Sequence, residues 1–175
     1  MFFIQVTRAE GNNDKVKYMV LLCGDPEDQE VVKAAAGSLA MLTSQSSKVC
    51  KKVFDSTQWE ECFLNLLANT DYEITYRGVI VIKNMTEAGK EVADRLYDTK
   101  ITEVLQALIM KAKLDEGNFE KNELLQKIRP VCEAALDAAY KLDVIKKYAE
   151  AVKEDEEDEK LEQWAHHPGS KKAIK

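Results

Sequence analysis

The residues best suited to covalent chemistry in this sequence are four cysteines and two histidines. They are Cys23, Cys50, Cys62, Cys132, His166 and His167. A cysteine nucleophile needs a histidine base within hydrogen-bond reach, but both histidines follow an acidic run near the end of the sequence. Adjacent histidines on a helix point about 100° apart and cannot share one metal ion well, and the cysteines form no CxxC pair. We therefore predict no catalytic site, no metal site and no disulfide framework.

The overall charge and the N-terminal residues exclude further classes of function. The chain has 25 basic and 31 acidic residues, without the clustered lysines and arginines that bind nucleic acid. No glycine-rich loop indicates a phosphate-bearing cofactor. The apolar stretch of Phe2, Phe3, Ile4 and Val6 is too short for a signal peptide or a membrane helix. We expect a cytoplasmic protein with reduced thiols and no cofactor, which binds neither nucleic acid nor membrane.

The spacing of apolar residues predicts an all-α protein up to about residue 150. Seven glycines and three prolines fall mostly between segments of helical periodicity. We predict helices from Asp14 to Cys23, from Pro26 through the stretch VVKAAAGSLAMLTS, and over SSKVCKKVF, TQWEECFLNLLAN and DYEITYRGVIVIKNM. Thr57 and Glu60 have capping-box spacing at the start of the fourth of these. The apolar face predicted for that helix consists of Trp59, Phe63, Leu66 and Leu67. The β-branched run in the last segment is assigned to helix because of its length and its neighbours.

A repeat runs through these helices. Equivalent places near the ends of long helices are held by Leu39 with Leu42, Ile82 with Met85, and Leu136 with Ala139. The first step is 43 residues and the second is 54, and we attribute the excess to a loop insertion between Lys113 and Asn122. Helical repeats of this period are typical of HEAT and armadillo proteins. We predict an armadillo-repeat right-handed α-solenoid of about three repeats.

The run AAAGS in the second predicted helix has a place in such a solenoid. The third helix of each unit is wedged between its neighbours, so small side chains at Ala35, Gly37 and Ser38 would let flanking helices approach closely. Leu39 and Leu42 would then fill the core. A close helix contact in any other bundle would need the same residues, and the repeat favours the solenoid.

Composition divides the chain into three parts. Residues 1–11 form an atypical N-terminal segment and residues 12–153 form the armadillo domain. Residues 154–175 form an acidic and then basic tail, which we predict to be disordered because like charges in a run repel and remain solvated. Trp164 in this tail has no predicted role.

Several phrases of the sequence resemble a known family. The phrases KYMVLLCG, AAAGSLAMLTS, KVCKKVF, TQWEE and YRGVIVIKNM, in this order, resemble the C-terminal armadillo repeats of the UCS-domain myosin chaperones. The resemblance extends roughly from Gly11 to Lys147 and is weakest between Lys113 and Leu125. It implies a non-catalytic chaperone that binds and protects the myosin motor domain during folding and filament assembly.

The resemblance also implies a second partner, the ninety-kilodalton heat-shock protein. In full-length members of the family, an N-terminal tetratricopeptide domain holds that protein, and this sequence has no such domain. No residue here can therefore be assigned to that contact. The resemblance implies a fragment, an isoform or a truncated gene model. The alternative is an armadillo scaffold that bridges two folded proteins without chaperone activity.

The predicted binding surface is the concave face, which the third helices line. Nuclear-import armadillo proteins present there a tryptophan and, four residues later, an asparagine that grips a peptide backbone. The aligned pairs here are Gly37 with Met41, Ile80 with Asn84, and Ala134 with Ala138, so Asn84 alone keeps the pattern. This favours partly unfolded, more apolar client segments over basic import signals.

The candidate groove residues are polar or amphipathic residues on the third helices. They are Asn84, Tyr76, Arg77, Lys83, Met41 and Lys33. Tyr76 and Met41 could instead fill the core, and Lys33 and Lys83 could be ordinary solvated charges. Asn84 is the strongest candidate, because an asparagine within a helix is unfavourable unless it finds a partner.

Overall fold

The structure, a computed structural model, describes residues 13–145, with side chains from residue 15 onward. Over this range the chain forms eight α-helices and no strand. They are α1 (Asn13–Leu22), α2 (Gln29–Gln45), α3 (Ser47–Val53), α4 (Trp59–Leu67), α5 (Tyr72–Glu87), α6 (Lys90–Tyr97), α7 (Ile101–Asp115) and α8 (Glu123–Lys141). All of the predicted N-terminal segment and all of the predicted tail, including Trp164 and both histidines, lie outside the described residues.

The three long helices α2, α5 and α8 stack side by side and form the spine of the molecule. Helices α3, α4 and α5 make one repeat, α6, α7 and α8 make the next, and α1 with α2 supplies the last two helices of a repeat before them. Each long helix packs on the helix that precedes it in the chain and on the long helix of a neighbouring repeat. The predicted helical solenoid is confirmed.

Two predictions about local sequence were right. The face predicted for α4 is buried, with Trp59, Phe63, Leu66 and Leu67 all in the core. Trp59 packs edge-on against Phe54 and Phe63, at ring-centroid distances of 4.8 and 5.9 Å. The β-branched run of α5 is helical, because burial against α2, α4 and α8 outweighs its weak preference for strands.

The predicted capping box was wrong. Helix α4 begins at Trp59, and the residue before it, Gln58, makes no side-chain cap hydrogen bond. Thr57 lies in the preceding turn, where the Trp59 amide donates to the Ser56 carbonyl at 3.3 Å. The burial of Trp59 fixes where the chain enters the helix. The caps that do form are Asp28, Asp71 and Asn122, whose side chains accept from the first-turn amides of α2, α5 and α8.

The longer second repeat results from helix as well as loop. Helix α7 has 15 residues where α4 has 9, and the loop that follows it runs from residue 116 to 122. The predicted insertion therefore starts too early, since α7 continues to Asp115. The Asn122 amide donates to Asp115 at 2.7 Å, and Gln126 donates to the Ala112 carbonyl at 2.9 Å. These bonds close the loop onto the end of α7.

A buried polar contact joins the second repeat to α5. The Tyr97 hydroxyl of α6 lies 2.9 Å from the Thr86 hydroxyl of α5 and donates to the Ala135 carbonyl of α8 at 3.2 Å. Burial raises the pKa of Tyr97 to about 12, so this hydroxyl remains a donor at any physiological pH. None of the helices between residues 13 and 145 is long and apolar enough to cross a membrane.

Candidate functional site

Asn84, the strongest candidate in the sequence, ties α5 to α2. Its amide nitrogen donates to the Ala40 carbonyl at 3.0 Å and to the Thr43 hydroxyl at 3.2 Å. Thr43 is buried and donates in turn to the Leu39 carbonyl of its own helix. The Asn84 amide nitrogen therefore has its partners within the fold, which explains an asparagine inside a helix.

Arg77 makes a second link between the same two helices. One guanidinium nitrogen donates to the Lys33 carbonyl of α2 at 2.8 Å, and another donates to the Glu73 carboxylate of α5 at 2.6 Å. To reach α2 the guanidinium lies against Gly37, where an added Cβ would stand 2.9 Å from the nearest nitrogen. Gly37 was predicted to let neighbouring helices approach closely. In the structure, its missing side chain leaves room for the Arg77 guanidinium.

Lys33 completes the contact. Its ammonium lies 3.0 Å from Asp71 and 3.9 Å from Glu73, both on the α5 side, and its side chain is 21% exposed. The hydrogen bond that Lys33 donates to Asp71 raises the pKa of Lys33 and holds the pKa of Asp71 below its usual value. We call the set of contacts made by Lys33, Arg77 and Asn84 across these helices the α2–α5 seam.

The other three candidates lie beside the seam. Lys83 pairs with Glu87 one turn along α5 at 2.8 Å. Tyr76 is half-buried and packs against the core. Met41 is 65% exposed, at the place on α2 that Asn84 holds on α5, so it presents most of its apolar side chain to solvent.

The polar side chains that sequence reasoning missed are the seam partners. Asp71, Glu73 and Thr43 carried no signal of their own, although Asp71 is the first residue of a predicted helix, where an acidic cap is favoured. A polar cavity of about 270 Å³ opens at the C-terminal end of the seam. Its lining includes Thr43, Ser44, Asn84 and Glu87. This face offers recognition by hydrogen bonds and by the open Met41 side chain.

The cysteines are poor nucleophiles. All four are buried and unpaired. Burial raises the pKa of Cys23 and of Cys132 to about 12 and that of Cys50 to about 11, and it also raises the pKa of Cys62. Thiolate, the reactive form, is therefore scarce at neutral pH. Among residues 13–145, no three metal-ligating side chains come together.

Sequence comparison identifies relatives of this chain. No family model matches it. It is 41% identical over 101 residues to protein unc-45 homolog B of Xenopus laevis, a match that covers 57% of this chain and 11% of that protein. It is 35% identical over 133 residues to the human protein of the same name, covering 75% of this chain and 14% of the relative. The chain thus spans only a small part of the length of these curated relatives.

Comparison of structures leads to the same group. UNC-45 from Drosophila melanogaster superposes with a TM-score of 0.64 at 38% identity, over 77% of this chain and 16% of that one. A computationally designed armadillo repeat protein for modular peptide recognition superposes with a TM-score of 0.58 at 20% identity, over 71% of this chain and 47% of that one. The second match shows the armadillo fold alone. The chain is therefore homologous to the UNC-45 proteins and has a UCS-type armadillo fold, as the resemblance in its sequence predicts.

Proposed function

We propose that this chain is a non-catalytic chaperone module that binds and protects the myosin motor domain. The observation that carries the proposal is the homology to UNC-45 proteins over most of the described solenoid. We place the client on the exposed face of the long helices, beside the α2–α5 seam. In longer relatives, the ninety-kilodalton heat-shock protein would act through residues outside this segment. We also propose that the module works in the cytoplasm.

We propose two roles among the candidate residues. Lys33, Arg77 and Asn84 bind the neighbouring helix, so their first role is to fix the spacing of α2 and α5. Met41, in contrast, is 65% exposed. Its flexible apolar side chain suits client segments of varied sequence. We therefore propose Met41 as the residue of this set that contacts the client most directly.

The absence of catalysis is part of the proposal. Burial raises the pKa of the Cys23 thiol and keeps it protonated, and the other three cysteines are also buried. Protection of a client by binding needs only an accessible surface and no turnover. We expect the chain to act stoichiometrically and without nucleotide.

The test is light scattering from a purified myosin motor domain held at a denaturing temperature. The wild-type chain, at a one-to-one ratio, should suppress scattering. Met41→Ser should weaken that suppression markedly, because the change removes apolar contact area while leaving the core intact. Met110→Ser is the matched control, since Met110 is similarly exposed, at 63%, and lies on α7, outside the α2–α5 seam. This control should protect as well as the wild type.

Two outcomes would contradict the proposal. If a well-folded wild-type chain leaves scattering unchanged, the chain is not a chaperone for this client. If it also binds the native motor domain, the scaffold alternative is favoured instead. If Met41→Ser and Met110→Ser lose protection equally, binding is not confined to the face beside the seam.

A further inference from the structure

Helix α7 carries an exposed apolar surface. Met110 and Leu114 are one turn apart on α7 and are 63% and 73% exposed, and Phe119 in the following turn is fully exposed. That turn closes on the helix through a bond from the Asn118 amide to the Asp115 carbonyl. We call Met110, Leu114 and Phe119 the α7 patch. Large apolar side chains grouped on one surface mark a place that another segment covers.

The charged groups beside the α7 patch favour an acidic partner. Two nearby carboxylates are engaged within the fold, since Asp115 accepts from the Asn122 amide and Glu116 pairs with Arg129, while Glu120 beside Phe119 is exposed. Against this one open carboxylate stand three exposed lysines, Lys111, Lys113 and Lys121, of which Lys111 also lies 5.1 Å from the centre of the Tyr72 ring. A segment that combines acidic residues with large apolar ones would therefore match this surface in both charge and hydrophobicity.

The remainder of this chain contains such a segment. The 30 residues after Ile145 include the run EDEEDE at 154–159, followed by Leu161 and Trp164. We propose that Leu161 and Trp164 dock on the α7 patch. The acidic run lies in the linker between the end of the solenoid and these two residues. Tryptophan is the side chain most often found anchoring such contacts.

The length of the connection permits this docking. Helix α7 leads into α8 through a short loop and the two helices pack together, so the end of α8 lies near the start of α7. From there to Leu114 is about 20 Å along α7, at about 1.5 Å per residue. The residues from Ile145 to Leu161 can span about 50 Å when extended. The acidic residues just before Leu161 would then pass close to Lys111 and Lys113.

The test is quenching of Trp164 fluorescence by acrylamide in the full chain. The chain has two tryptophans, and subtracting the signal of Trp164→Phe from that of the wild type isolates Trp164 without disturbing buried Trp59. In the native chain, Trp164 should be about three-fold less quenchable than in the urea-unfolded chain. The double variant Met110→Ser, Leu114→Ser should restore the unfolded value. Met41→Ser, an equally exposed methionine elsewhere, should leave quenching unchanged.

Three results would overturn the proposal. Trp164 could be as quenchable in the native chain as in urea. The α7 variant could leave the protection of Trp164 intact. Protection that rises with protein concentration would mean that a second copy covers the patch. None of these results depends on whether the chain protects myosin.

Discussion

Gly37→Ala tests the α2–α5 seam most directly. The new methyl group would stand 2.9 Å from a guanidinium nitrogen of Arg77 and 3.5 Å from its central carbon. Arg77 is the flexible partner, so its guanidinium would move away. That movement would break its 2.8 Å bond to the Lys33 carbonyl. The backbone of α2 already has helical geometry at this position and would not need to change.

Two opposing effects set the size of the change in stability. Alanine in place of glycine within a helix stabilises by about 1 kcal/mol. Losing a hydrogen bond from a charged donor costs about 1.5 kcal/mol, near the low end of its range because the Arg77 side chain is 33% exposed. Gly37→Ala should therefore lower the free energy of unfolding by about 0.5 kcal/mol. In an Arg77→Met background, the same change should raise it by about 1 kcal/mol.

The assay is a double-mutant cycle by urea unfolding, followed by circular dichroism. The four chains are the wild type, Gly37→Ala, Arg77→Met and the double variant. The sign of the glycine effect should reverse between backgrounds, giving a coupling of about 1.5 kcal/mol. An equal effect of Gly37→Ala in both backgrounds would refute the idea that this glycine exists to admit Arg77.

Three further predictions follow from buried or paired groups. The Ser56 hydroxyl is buried with no hydrogen-bond partner among the described residues, so Ser56→Ala should raise the free energy of unfolding by about 1 kcal/mol; a decrease would mean that the hydroxyl is satisfied. The pKa of Asp71 lies below its usual 3.8, so its pairing with Lys33 stabilises the chain above about pH 4 and is lost as pH falls through the lowered value. Asp71→Asn should therefore flatten the acid limb of stability against pH, whereas an unchanged limb would show that the pair contributes nothing. The four buried thiols should resist a thiol reagent at pH 8 until the chain is unfolded, and rapid native reaction would contradict their raised pKa values.

The sequence was sufficient for the helical solenoid because the signals are local. Apolar residues at helical spacing predict the first five helices, and the recurrence of the pattern predicts the stacking of α2, α5 and α8. Gly37, Gly78 and Pro130 lie within those three helices rather than between helices. The start of α4 was not predictable in this way. Its capping pattern was present at Thr57 and Glu60, but the burial of Trp59 against two aromatic rings decided where the helix begins.

The candidate site shows the same division between sequence and structure. Its residue types could be selected from the sequence, and Asn84 was rightly expected to need a partner. The partners of Arg77 and Asn84 on α2 lie 44 residues earlier in the chain, on a different repeat. A repeat period predicts which helices are neighbours, but the rotation of each helix about its axis follows from packing of the whole core. The sequence by itself therefore determined the helices and their order, while only the tertiary structure decided that Asn84 faces a neighbouring helix and Met41 faces solvent.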